Sequence, residues 1–376
     1  MAAISRAMNE PISWPHRVWA RQDSLANVAW LLALPLSFVY GAAVGLRNLL
    51  YRGAWLPTKA LPGAVVSVGN LTVGGTGKTP TTLWLADELR QRGYRVAILT
   101  RGYRRTARGP LALATRALTE EPVEGARADV VGDEAFMMSQ LFGETLGVAE
   151  RRYQAGMTVL GTEKIDVFIL DDGFQHQQLK RDLDLVLLGD DCSGRLLPAG
   201  PFREPIRGLA RAQLFLVTGA KEKWPQILRA NHGQGEIFFG ALRERCVRTW
   251  EGNRWVEYPL SRMTGAKILA ISGIANAALF YRMIDDWQGE IVDVLEFEDH
   301  HRYSQQDWQR INRGARKADM IVTTEKDIVK LMRSPFPRHQ LFALRVEMVI
   351  EQKQALMTAV ERAVRERLTA IRAANG

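Results

Sequence analysis

Cysteine is nearly absent from this 376-residue chain: Cys192 and Cys246 stand alone, in no CxxC or Cys/His spacing. That excludes a disulfide framework and a cysteine zinc site, and it fits a reducing cytoplasm. The six histidines form no HExxH pattern, so zinc-hydrolase chemistry has no anchor either. An acidic excess is also missing, since 50 Lys+Arg against 41 Asp+Glu leave a net charge of +9. Such a balance suits nucleic acid, an anionic membrane surface or a phosphorylated substrate, and does not choose among them. No recognisable RNA- or DNA-binding module accompanies it, so no nucleic-acid partner is expected. With 47% hydrophobic and 24% charged residues, the composition is neither disordered nor collagen-like. The length allows one large core or, on usual domain sizes, two.

Formal charge is absent from Ser24 to Leu46, a stretch about as long as the ~20 residues needed to cross a bilayer. Asn27, Pro35, Ser37, Gly41 and Gly45 interrupt it, and Leu46-Arg47-Asn48 is a poor signal-peptidase site. A spanning helix, a helix lying in one leaflet and a buried soluble helix all remain open, with hydropathy favouring membrane contact. Arg6, Arg17 and Arg21 precede the stretch and Arg47, Arg52 and Lys59 follow it, so the positive-inside comparison sets no orientation. Trp14, Trp19, Trp30 and Tyr40 suit the headgroup region.

The run from Ala64 to Asn70 reads as a buried strand, and Thr79 to Arg92 as an amphipathic helix turning Leu83, Leu85, Ala86 and Leu89 inward. Between them lies Gly74-Gly75-Thr76-Gly77-Lys78-Thr79. Glycines there let backbone N–H groups converge on phosphate oxygens, Lys78 reaches the β and γ phosphates, and the Thr79 hydroxyl ligates Mg²⁺. Thr72 stands where the GxxxxGK[ST] pattern has its first glycine; the competing reading is a glycine turn that caps a helix and binds nothing. Val96 to Thr100 is the next expected strand, and alternation of strands with helices indicates a parallel sheet with ligands at its carboxyl edge.

A second apolar run ends in Asp171-Asp172-Gly173, where a Walker B carboxylate holds Mg²⁺ in nucleotide-binding sheets. Asp133, in Gly132-Asp133-Glu134, is open to two readings: the N-cap of a following helix, or the carboxylate that orients an attacking hydroxyl. The run from Phe297 to Tyr303 sets His300 and His301 beside acids. It lacks a third metal ligand, leaving a histidine that orients another residue or a surface turn.

Taken together, SVGNLTVGGTGKTP (67–80), LTRGYRR (99–105), GDE (132–134), RRYQAG (151–156), LDDGFQHQQLKRDLDLVLLG (170–189), LLPAGPFREP (196–205), SGIAN (272–276), FEDHHRY (297–303) and TTEKD (323–327) resemble the tetraacyldisaccharide 4′-kinase family, in family order. The threonine-led phosphate loop belongs to that pattern. The resemblance implies ATP-dependent phosphorylation, with Mg²⁺, of the 4′-hydroxyl of a tetraacylated glucosamine disaccharide 1-phosphate. The product would be lipid IVA of lipid A biosynthesis, made at the cytoplasmic face of the inner membrane. A monomer is expected, though no residue pattern fixes the oligomeric state. By similarity Asp133 is the base, supported by His300 across a domain cleft. Lys78 acts on the phosphates, and Thr79, Asp171 and Asp172 on the metal. Arg152 and Arg101 lie near the transferring phosphoryl and the acceptor, with Arg151 next door as the alternative to Arg152. Glu134, Gln175 and Asp299 match positions near the site, Asn70 orients the acceptor or the loop, and His176 and His301 are neighbours.

The fold expected is α/β: a P-loop NTPase-like parallel sheet domain and a smaller second α/β domain joined by a β-hairpin linker. The boundaries expected are a membrane-associating segment over 1–50, the kinase core over 51–235, the hairpin over 236–262, the smaller domain over 263–350 and an amphipathic helix over 351–376. On that division the two domains close over the nucleotide and exclude water. In the last helix Leu356, Val360, Val364, Leu368 and Ile371 form a stripe, read as packing on the body or as contact with acidic headgroups. A membrane-associated switch ATPase with a deviant P-loop shares the loop, the strand-end acid and the membrane segment, and stays open as the alternative function.

Overall fold

The computed structural model describes residues 14–103, 105–113, 128–143, 145–231, 234–251, 254–274, 277–299, 301–332 and 340–375. Its strands, in chain order, are β1 (Ala64–Asn70), β2 (Val96–Thr100), β3 (Leu111–Leu113), β4 (Leu146–Val148), β5 (Val167–Asp171), β6 (Leu183–Leu188) and β7 (Leu214–Val217). After these come β8 (Glu236–Glu251), β9 (Arg254–Tyr258), β10 (Lys267–Ser272), β11 (Glu290–Glu296), β12 (Met320–Thr324) and β13 (Leu341–Ile350).

Two compact units share these strands, and both are discontinuous in sequence. Of the described residues, 14–100, 151–242 and 348–375 form the first unit, and those within 101–150 and 243–347 the second. This differs from the contiguous division expected, in which 51–235 was one body. The segment after β2 carries β3, β4 and the helix Asp133–Phe142, and that helix packs against the helix Glu325–Leu331. Its last residue, Phe142, also lies under the guanidinium groups of Arg248 and Arg345. Asp133 therefore belongs with the C-terminal half of the chain, not with the phosphate loop's unit.

In the first unit a parallel sheet runs in the order β2, β5, β1, β6, β7 and the start of β8. Ala64 pairs with Val167 and Val66 with Leu183. All residues of β1, β2, β5, β6 and β7 are buried, which is why they read as unbroken apolar runs. The helix Lys78–Gln91 joins β1 to β2 and buries Leu83, Leu85, Ala86 and Leu89, as its spacing requires. The last helix, Lys353–Asn375, buries Leu356, Met357, Val360 and Val364, and Arg367 on it donates to the Leu61 carbonyl. Packing on the body thus covers Leu356, Val360 and Val364 of its apolar stripe, while Leu368 and Ile371 are half-buried.

The most apolar 18-residue window of the helix Ser24–Arg52 has a mean hydropathy of 1.8 and is only 6% buried, so it is no core helix. One narrow face, with Ala26, Ser37 and Val44, is covered. Leu32, Leu36, Phe38, Val39 and Leu49 are exposed, Phe38 at 78%. The covered face is held by polar bonds along its length: Trp30 donates to the Ala199 carbonyl, Ser37 to that of Leu196 and Tyr40 to that of Arg203.

In the second unit β11, β10, β12 and β13 form a parallel sheet, while the end of β8 pairs antiparallel with β9. β3 and β4 pair antiparallel, Leu111 with Val148 and Leu113 with Leu146.

Candidate active site

The phosphate loop leaves β1 at Asn70 and enters its helix at Lys78. Gly74 and Gly77 have φ of 113° and 86°, and side-chain-bearing residues rarely adopt such values. Gly77 is the helix N-cap and carries no side-chain cap, so the first-turn N–H groups keep the orientation that anions seek. Lys78 is folded back with its Nζ 3.4 Å from the Gly74 carbonyl and 3.8 Å from Asp172 Oδ1.

The acidic pair ends β5. Asp171 is buried and accepts from Thr82 Oγ1 at 3.2 Å. Asp172 turns the chain at φ 51° and binds Arg203 Nη1 through both carboxylate oxygens, at 2.9 and 2.8 Å. Burial alone would raise its pKa, but Lys78 and Arg203 outweigh that and hold it below the ordinary aspartate value. Arg152, at the start of its helix, is 4% exposed and points a guanidinium N–H at the Asp171 carbonyl, 3.5 Å away; Arg151 is exposed. Of the adjacent arginines, only Arg152 faces the acidic pair. Thr79, Asp171 and Asp172 are oxygen donors that suit Mg²⁺, an ion held by one or two carboxylates with phosphate oxygens and water. No all-protein cage of three or more His, Cys, Asp or Glu gathers among the described residues.

Behind the loop runs a hydrogen-bonded chain. Asn70 donates through Nδ2 to Thr76 Oγ1 at 2.9 Å, and Gln175 Nε2 donates to the Asn70 carbonyl and to Glu204 Oε1, at 2.8 and 2.9 Å. Glu204 is fully buried, paired with Arg211 at 2.7 Å, and accepts from Asn48 of the apolar helix at 3.1 Å. The glycine loop is thereby tied to the apolar helix, whose outward face exposes Leu32, Leu36 and Phe38.

Arg101, Asp133 and Glu134 lie in the second unit, and His300 lies outside the described residues. Asp133 is the first residue of its helix; the N-cap is Gly132, so the capping role open to Asp133 from sequence is not the one it has. Gly132 has φ 97°, and a Cβ there would lie 3.0 Å from the Tyr103 carbonyl oxygen and 3.1 Å from Gly102 backbone atoms. Only glycine lets the GDE turn lie against the RGY turn. Lys330 Nζ is 3.7 Å from Asp133 Oδ2, and Lys326 Nζ lies 3.6 Å from Glu134 Oε1 and 2.7 Å from Asp299 Oδ1. His301 binds Asp307 at 3.0 Å and stacks on Phe297, a supporting neighbour of the loop.

The tetraacyldisaccharide-1-P 4′-kinase family model matches residues 28–365, nearly the whole described chain. The chain belongs to that family. Tetraacyldisaccharide 4′-kinase of Halothermothrix orenii is 36% identical over 333 residues, covering 81% of this chain and 84% of that one. The Bacteroides thetaiotaomicron protein of the same name is 36% identical, covering 86% and 90%. A crystal structure of LpxK from Aquifex aeolicus, an "apo" form in complex with ATP, superposes with a TM-score of 0.70 at 30% identity, covering 88% of this chain and 98% of that one.

Membership of the 4′-kinase family makes the residues that sequence reasoning passed over worth naming. Arg203, Glu204, Lys326 and Asp327 sit inside the runs that carried the resemblance, and Lys330 lies just beyond one. None stood out, because a charged residue in a mixed run reads as a solvated turn. The signal available was an acid or base enclosed by apolar neighbours, as in Pro-Phe-Arg-Glu-Pro around Arg203.

Proposed function

We propose that this chain transfers the γ-phosphate of ATP to the 4′-hydroxyl of a tetraacylated glucosamine disaccharide 1-phosphate. The observation that carries this reading is Lys78 folded over its glycine loop within 3.8 Å of the strand-end carboxylate Asp172, in a chain matched to the 4′-kinases along its length. The loop N–H groups and Lys78 bind and orient the phosphates, and Arg152 adds positive charge beside the acidic pair. Thr79, Asp171 and Asp172 would hold Mg²⁺, which when bound supplies charge to the phosphate oxygens. Arg203 holds Asp172 ionised and in place until then. Asp133 takes the proton of the 4′-hydroxyl, with Arg101, Glu134, Asn70 and Gln175 on the acceptor side. Labelled ATP, Mg²⁺ and tetraacyldisaccharide 1-phosphate in detergent micelles are expected to give a 1,4′-bisphosphorylated lipid. Nucleotide hydrolysis without a lipid product, from folded protein, would favour the switch ATPase instead.

The enzyme works at the cytoplasmic face of the inner membrane, with the apolar helix lying in the interface. From Trp30 to Asn48 the helix is bonded to residues 196–204, a span of about 27 Å at 1.5 Å per residue. Crossing a hydrocarbon layer about 30 Å thick would carry that irregular segment into lipid, where its backbone groups find no partners. Lying flat, the helix submerges Leu32, Leu36 and Phe38 and keeps Arg21, Arg47 and Arg52 near the headgroups. The double variant Leu32→Glu/Phe38→Glu is expected to lose co-sedimentation with anionic phospholipid vesicles roughly tenfold while still binding ATP. Undiminished co-sedimentation would remove this face from membrane contact.

A further inference from the structure

We infer that Lys330 is a positioning residue for Asp133, fixing the carboxylate and keeping it ionised for proton abstraction, and that Lys326 anchors the adjacent Glu134 in the same way. The inference rests on reading Asp133 as the base.

It begins at the end of β12. Thr324 caps the helix Glu325–Leu331, accepting from the Asp327 N–H and donating its hydroxyl to Asp327 Oδ2 at 2.7 Å. Asp327 is fully buried, and the Gly273 N–H donates to the same oxygen at 2.8 Å. Its other oxygen lies 2.9 Å from Lys330 Nζ, one helical turn on. That ammonium is 10% exposed, donates to the His301 carbonyl at 3.3 Å, and has the Tyr303 ring 5.5 Å away. An ammonium has three N–H donors. One goes to the His301 carbonyl, and the charge is shared between Asp327 at 2.9 Å and Asp133 at 3.7 Å, both within ion-pair range.

A buried pair serving stability alone would close on itself. Here the pair is held at one end by a cap and a backbone N–H, and its positive end faces the family's acidic motif. Lys326 stands one turn earlier on the same helix and divides its charge between Glu134 and Asp299. Two lysines at i and i+4 thus meet two consecutive acids, and they tie the GDE turn to the loop of Asp299 and His301. Among the described residues, the charged and titratable groups grouped with Asp133 here are Lys330 and its partner Asp327 from this helix, Tyr303 from the loop, and Glu134 and Lys326 alongside. Tyr303 stays neutral: burial first, then Asp327, Asp307 and Asp133, push its hydroxyl far above the ordinary tyrosine value. Lys330 is therefore the cation nearest Asp133 among these groups, and an opposite charge at that range favours the carboxylate. Placement at the first turn of a helix acts in the same direction.

The test is the pH profile of lipid phosphorylation by the full chain. Lys330→Met is expected to lower kcat about tenfold, leave the KM for ATP within about twofold, and move the acidic limb of kcat/KM up by about one pH unit. Lys330→Arg keeps a cation there and is expected to return the limb to its wild-type position. Because Lys330→Met leaves Asp327 buried without its partner, Lys330→Met/Asp327→Asn is measured beside it. That pair is neutral and can fold while still lacking the cation, and it should show the same displaced limb. A limb at its wild-type position in the folded double variant would overturn the inference. Asp133→Asn separates the two ideas: undiminished turnover there would remove Asp133 as base, whereas a large loss together with an unmoved limb in the lysine variants would remove only the role of Lys330.

Discussion

Asp133→Asn is expected to lower turnover by about 10² to 10⁴, the range that a positioned general base contributes. The substitution keeps the shape of the side chain and its place at the first turn of the helix Asp133–Phe142. It removes the ability to take a proton, so the loss should fall on kcat and leave the affinity for ATP, measured at equilibrium, nearly as it was. Asp133 lies in the second unit and the phosphate loop in the first, so the substitution is not expected to disturb the loop's own packing. Unchanged turnover in a folded Asp133→Asn protein would exclude the role.

Lys78→Ala should act at the other end of the transfer, with kcat/KM for ATP falling on the order of 10² to 10³, as for loss of one preorganised donor to a developing charge. Lys78 is already seated between the Gly74 carbonyl and Asp172, so little rearrangement is needed to present its ammonium to phosphate. Lys78→Arg is not expected to restore activity, because a planar guanidinium does not fit where a compact ammonium folds over a glycine turn. The measurement is single-turnover transfer of labelled phosphate to lipid at saturating ATP and at ATP well below KM. Full activity of Lys78→Ala would end the phosphate-loop assignment.

Much of the first unit was legible because parallel strands covered on both faces must be written as continuous apolar runs. β1, β2 and β5 were read nearly to their ends, and the glycine loop and acidic pair followed from where such strands stop. The helix around Leu83 and Leu89 announced itself by period. The interleaving of the units was not legible. Periodicity shows that the helix Asp133–Phe142 has a face to bury, but not that the helix Glu325–Leu331 covers it. For the same reason Lys330 was invisible, since nothing near it in sequence hints at Asp133. Arg203 was hidden likewise: its partner Asp172 lies 31 positions away, and only the folded chain sets a two-oxygen bond between them. The choice between Arg151 and Arg152 needed burial, which two adjacent identical side chains cannot express in sequence.

The bonds between Glu204 and the apolar helix bear on how such a protein can be handled and altered. Cutting the chain after Arg52 would look like a simple route to a better-behaved kinase, yet Asn48 and Tyr40 would go with it. Glu204, wholly enclosed in the intact fold, would be opened to water, and Gln177 would lose its acceptor on Asn48. Gln175, bonded to both Glu204 and Asn70, would pass that slackness toward the Thr76 hydroxyl. Solubility has to be gained by repainting the outward face, at residues such as Leu32 and Phe38, while the inward face is kept. The two faces of this helix answer to different requirements, apolar surface on one side and hydrogen-bond geometry on the other, so a substitution on the first side can leave the bonds of the second in place.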